Sequence, residues 1–127
     1  ESDLNPEQKL NILNKIDSDR LTVNYDIGNS ASNGFNVDEE FSAYGNKITD
    51  IHIKDRTFNG GPVELGRGDA DFNKYFDSLK RYEINPNIYV FQAFRDEQGV
   101  DIFKKQYKWY FDTYNKHINE LNEQNWS

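Results

Sequence analysis

Four side chains stand out for the chemistry they could share: Asp26, His52, Lys54 and Gln92. An aspartate, a histidine and an amide offer oxygen and nitrogen donors. With water, that set suits a hard-to-borderline divalent ion such as Mn²⁺, Mg²⁺, Co²⁺ or Zn²⁺. A second group is basic. Lys54, Arg56, Arg67 and Arg95 could supply positive charge, while Gly60-Gly61 and Gly66-x-Gly68 could bring backbone N–H groups to an anion. Each residue also has a purely structural reading. His52 could be a hydrogen-bonded structural histidine and Asp26 a helix cap. The glycines could simply turn the chain, with Asp69 or Asp71 capping the helix that follows.

The elements that must position these residues are legible from pattern. Asn5-Pro6-Glu7-Gln8 supplies an N-cap, a proline at the first helical position and a glutamine three residues after the cap. With Leu10, Leu13 and Ile16 at helical spacing, it predicts a helix over about 6–17. Residues 21–26 alternate as a strand, and 28–34 read as a loop. Asn36 and Glu39 open a short helix that Gly45 ends. A strand over 48–54 follows, then a long Gly-rich loop over 55–70. A helix over about 71–83, a β-rich strand over 88–94 and a last helix over about 100–122 complete the chain. The aromatic run of the last helix reads as core, and His117 as a surface residue.

The order α-β-α-β-α-β-α implies parallel strands joined by crossovers, either in an open doubly wound sheet or in part of a (β/α)8 barrel. Strand parity separates the two. Val23 and Tyr25 share one face, as do Ile51 and Ile53. Asn24, Asp26, Asp50, His52 and Lys54 fall on the other. Open parallel sheets are apolar on both faces. A polar face ending in Asp26, His52 and Lys54 suits a barrel lumen near its catalytic rim, where active sites lie at the C-terminal strand ends. Asp26, His52 and Gln92 would converge there.

Composition bounds the function classes. The 127 residues suit one domain, and a net charge of −7 argues against non-specific binding to nucleic acid or an anionic membrane. Cysteine is absent, which excludes disulfides and thiolate chemistry and suits a reducing cytoplasm. No apolar run is long enough for a membrane span. The chain contains no methionine and opens on Glu1-Ser2-Asp3-Leu4, which leads us to expect a piece of something longer.

Three segments together resemble the sugar-phosphate isomerase/epimerase family of xylose isomerase-like TIM barrels. They are Asn24-Tyr25-Asp26-Ile27-Gly28-Asn29-Ser30, Ile51-His52-Ile53-Lys54-Asp55-Arg56 and the segment from Val63 to Phe72. The resemblance implies that residues 1–127 form a single partial domain, about strands five or six to eight of the barrel. It implies metal ligands at Glu1, Asp26, His52 and Gln92, the last where the best-known members carry a glutamate. It implies a catalytic base at Glu1 and sugar contacts at Asn29, Lys54, Arg56 and Arg95. The implied activity is isomerisation or epimerisation of a keto-sugar or its phosphate through a divalent-metal-bound enediolate. Because an amide does not titrate usefully, a catalytically weakened sugar-binding relative is the alternative. An apurinic endonuclease-like nuclease fits poorly, since it needs several His ligands. The implied partners are a small sugar and either a missing N-terminal half or a second copy, with no nucleic acid or membrane.

Overall fold

The structure is a computed structural model and describes residues 3–92 and 99–126. Helix α1 spans Pro6–Ile16 and opens with the expected capping box. The Asn5 side chain accepts the Gln8 N–H at 2.8 Å, and the Gln8 side chain accepts the Asn5 N–H at 3.0 Å. Strand β1 (Val23–Asp26) leads directly into a short helix α2 (Ile27–Ser32), where a loop is expected from sequence. Helix α3 spans Val37–Tyr44 and is capped by Asn36. Strand β2 is Ile48–Ile53. The segment read as the loop 55–70 contains a small antiparallel hairpin, β3 (Asp55–Arg56) with β4 (Pro62–Val63). Helix α4 spans Phe72–Arg81, strand β5 Ile88–Phe91 and helix α5 Val100–Trp126.

Strands β1, β2 and β5 form a parallel sheet in that order, with β2 in the centre. The parity read from the sequence holds. Val23, Tyr25, Ile51 and Ile53 are buried in one apolar cluster. Phe41 and Tyr44 of α3, Phe72, Tyr75 and Phe76 of α4, and Tyr110 of α5 supply its aromatic part. Its aromatic rings meet edge to face, as in Tyr25–Phe41 at 4.9 Å and Phe72–Trp109 at 5.0 Å. Such pairs add about 0.5–1.5 kcal/mol each beyond the area they bury. The core therefore lies on one side of the sheet, and the other side carries the polar parity. A parallel sheet with helices on one face and polar side chains on the other is a section of barrel wall.

Two local expectations change. His117 is buried, not superficial: its Nε2 lies 2.7 Å from Asp77 Oδ1 and its ring packs against Phe76. Its position seven residues after Tyr110 places it on the core stripe of α5. The aromatic run of α5 is only partly core. Tyr110 is buried, but Phe103, Tyr107, Phe111 and Tyr114 are between 38% and 47% exposed. They form a stripe beside β5, where Ile88 and Tyr89 are exposed as well. No helix among the described residues is long and apolar enough to cross a membrane.

Candidate functional site

Register brings the first candidate pair together. In the parallel ladder Asp26 of β1 stands opposite His52 of β2. Asp26 is buried and divides its two oxygens between two tasks. Oδ1 accepts the Asn29 N–H at 2.8 Å and so caps α2. Oδ2 faces His52 Nδ1 at 4.0 Å. The capping and the ligand readings of Asp26 are thus compatible, because each uses a different oxygen.

His52 Nδ1 is buried and makes no hydrogen bond. A buried polar atom without a partner costs about 1–3 kcal/mol, so such an atom calls for an explanation. An imidazole nitrogen and a carboxylate oxygen 4.0 Å apart, at the C-terminal ends of neighbouring strands, are two donors whose types suit a divalent ion. These residues fit a metal as far as they go. Among the described residues no cluster of three or more His, Asp or Glu completes a site. Gln92 follows the end of β5, and its backbone N–H donates to the Ile53 carbonyl at 3.1 Å. Because His52 is level with Val90, Gln92 lies about 6.5 Å further along the strand, towards the rim. Glu1 and Arg95 lie outside the described residues.

The second candidate group meets at the start of α2. Arg56 spreads its guanidinium over two partners. Nε and Nη2 donate to the Gly60 carbonyl at 3.0 and 2.8 Å, and Nη1 donates to Asn29 Oδ1 at 3.2 Å. Gly28 lets α2 sit directly on this strand end. A Cβ there would come within 3.0 Å of Lys54 Cγ and 3.2 Å of Arg56 Cγ. Asn29, Lys54 and Arg56 are therefore neighbours, one step beyond the Asp26–His52 pair.

The glycine motif does bind an anion, but an internal one. Gly66 and Gly68 each donate a backbone N–H to Asp55 Oδ2 at 3.0 Å, and Ala70 donates to Oδ1 at 3.2 Å. Asp71 caps α4 through the Lys74 N–H, as one sequence reading holds. Asp69 instead accepts the Phe58 N–H at 2.6 Å.

Two buried acids escape the sequence reading. Asp55 is fully buried, and burial raises its pKa against the lowering effect of the backbone donors around it. Its signal is parity, since it continues the apolar series Ile51, Ile53. Glu40 is the other. It accepts hydrogen bonds from the Tyr25 and Tyr44 hydroxyls, each at 3.0 Å, and from the Ser30 hydroxyl. Burial raises its pKa too, while those hydroxyls and the charge of Lys9 lower it. It occupies a core position of α3, among Val37, Phe41 and Tyr44.

Parallel strands, helices on their outer face and a carboxylate–imidazole pair at their C-terminal ends define a section of a (β/α)8 barrel wall. The chain belongs to the xylose isomerase-like TIM barrel family, whose model matches residues 2–119. Solved structures agree on the fold. A xylose isomerase domain protein from Planctomyces limnophilus matches 98% of this chain with a TM-score of 0.67 and 16% identity. A D-tagatose 3-epimerase-like protein matches 90% with a TM-score of 0.64 and 23% identity. An IOLI protein solved with a bound zinc atom matches 91% with a TM-score of 0.58 and 23% identity. The chain spans only 45%, 43% and 42% of the length of these three proteins, respectively. Among curated proteins no match is found.

Proposed function

We propose that the chain is the C-terminal part of a metal-dependent sugar isomerase or epimerase acting on a keto-sugar. The observation that carries this reading is the unpartnered His52 Nδ1 facing the free oxygen of Asp26 at the strand ends. A divalent ion held by this pair would supply Lewis acidity at the oxygens of a ketose. The roles proposed for this chain's residues are those that the family resemblance implies. Asp26 and His52 would hold the ion, with Glu1 and the Gln92 carbonyl as further ligands. Glu1 takes up the proton next to the sugar carbonyl. Gln92 ligates but cannot exchange a proton, so the return step falls to Glu1 or to a group elsewhere in the barrel. Lys54, Arg56, Arg95 and Asn29 orient the sugar. With Gly66 and Gly68 already engaged by Asp55, a phosphate on the substrate has fewer donors to meet, and an unphosphorylated sugar fits better.

Solvent deuterium tests the reading. The full-length protein with Mn²⁺ is expected to incorporate deuterium next to the carbonyl of at least one sugar in a ketose panel. Binding without exchange would favour the sugar-binding alternative, for which the non-titrating Gln92 speaks. Neither binding nor exchange would sink both.

The same reading concerns assembly. A sheet of three strands leaves both edges unpaired among the described residues, and the stripe Phe103, Tyr107, Phe111, Tyr114 lies exposed beside one of them. A groove of about 630 Å³ between β5, α4 and α5 extends this apolar surface. Edges and patches of this kind drive association. We expect the 127-residue chain, a single partial domain, to pair with a complementary barrel half or with itself. Light scattering and assay check this, and a monodisperse active monomer would overturn it.

A further inference from the structure

Asp55 lies between two candidate sugar contacts yet points away from them. Strand parity turns Lys54 and Arg56 towards the polar face and Asp55 towards the core, where it is fully buried. There it collects the N–H groups of Gly66, Gly68 and Ala70. The loop it gathers is held from the opposite side by α5. Gln106 Oε1 accepts the Leu65 N–H at 3.1 Å, and a Cβ on Gly66 would run into the Trp109 ring. The loop then returns to the strand through the Asp69 N–H, which donates to the Arg56 carbonyl at 2.9 Å. Gly68 is fitted to this arrangement, because a Cβ there would overlap both the Asp55 carboxylate and the Arg56 carbonyl.

We propose that Asp55 is a positioning residue: its buried carboxylate clips residues 66–70 under the strand end and thereby fixes Arg56, and with it Asn29 and Lys54, at the sugar-binding rim. The chain of contacts is continuous. Asp55 fixes the loop, the loop fixes the Arg56 backbone, and Arg56 links Gly60 to Asn29. The inference rests on the reading of Arg56 and Lys54 as sugar contacts, but its structural half does not. The clip is also distinct from the metal pair, whose geometry comes from the β1–β2 register. Its loss should weaken sugar binding and leave metal binding alone.

The test uses the full-length protein and two variants that break the clip from opposite sides. Asp55→Asn turns an acceptor of several N–H groups into one that presents an NH₂ to them. Gly68→Ala keeps the carboxylate and displaces it. In both, amide exchange at Gly66, Gly68 and Ala70 should accelerate about tenfold or more as their acceptor is lost. The Arg56 Nε–H resonance, followed by ¹⁵N NMR, should lose its protection. Affinity for D-tagatose or D-fructose, whichever the parent binds, should fall about tenfold in the presence of Mn²⁺, while Mn²⁺ affinity stays within about twofold. In an Arg56→Ala background, Asp55→Asn should cost less than about twofold more, since the two act as one unit. Unchanged Arg56 Nε–H protection and ketose affinity, despite exposed loop amides, would overturn the proposal. So would Mn²⁺ and ketose affinities falling in step, which marks general damage. If the parent binds no ketose at all, the sugar reading fails, and the Arg56 Nε–H signal alone decides the positioning role.

Discussion

Asp26→Asn is expected to leave the protein folded and to abolish the metal-dependent activity proposed for it. The two oxygens of Asp26 make this separation possible. In the asparagine variant the carbonyl oxygen can keep accepting the Asn29 N–H, so α2 stays capped. The amide nitrogen then faces His52, where it offers the ion no lone pair. Removing a charged ligand should cost at least the roughly 10–100-fold in metal affinity that is lost when a supporting residue is removed. His52→Ala should do the same from the other side of the pair. Asp26→Ala should behave differently, adding about 1 kcal/mol of instability through the lost cap. Mn²⁺ titration calorimetry and chemical unfolding of the apo protein measure the two effects separately. Asp26→Asn and His52→Ala binding Mn²⁺ as the parent does would remove the pair from the site.

The second large effect is on stability. Glu40→Ala removes the acceptor shared by the hydroxyls of Tyr25, Ser30 and Tyr44. Buried donors left without partners cost about 1–3 kcal/mol each, so a loss of about 3 kcal/mol or more is expected, a large share of a small domain's stability. Glu40→Gln keeps an acceptor and removes the charge. Burial holds the carboxyl of Glu40 above its ordinary 4.5 in the folded protein. A raised folded pKa contributes stability that is complete below the unfolded value and is lost as pH rises through the folded value. Glutamine has no such dependence. The stability of Glu40→Gln relative to the parent should therefore improve as pH rises from about 4.5 and level off above the folded pKa. Urea unfolding from pH 4 to pH 8 reads this directly, and a difference constant with pH would show that Glu40 is not strained by burial.

Much of the barrel section is written in the period of the sequence. The alternation of helix and strand and the opposed parities of β1 and β2 need only local pattern, and both survive in the structure. What local pattern misses has a common cause. Gly28-Asn29-Ser30-Ala31-Ser32 is rich in residues that avoid helix interiors, yet it forms α2 because Asp26 caps it and Arg56 braces Asn29. Asp55 between Lys54 and Arg56 looks like a solvated ion in a charged run. Only its place after Ile51 and Ile53 betrays that it is buried. Glu40 and His117 follow the same rule, since both sit on helical core stripes, Glu40 among Val37, Phe41 and Tyr44 and His117 in line with Tyr110. Polar residues at apolar positions are found by trusting period over residue type. The candidate site was legible only as far as register reaches. Strand pairing brings Asp26 to His52, but nothing in the sequence tells that Asp26 divides its oxygens or that the glycine loop turns its donors inward.

Strand β1 is four residues long, and its two functions are one peptide apart. Tyr25 reaches into the core to Glu40, while Asp26 turns to His52 on the opposite side. This adjacency limits how such a protein can evolve. A substitution that improves packing around Tyr25 shifts the backbone that aims Asp26, and a change of side chain at position 26 is felt by the buried acid behind it. Gains in robustness and changes of chemistry at this wall are tied together, so drift towards new substrates has easier routes through the loops than through the strand.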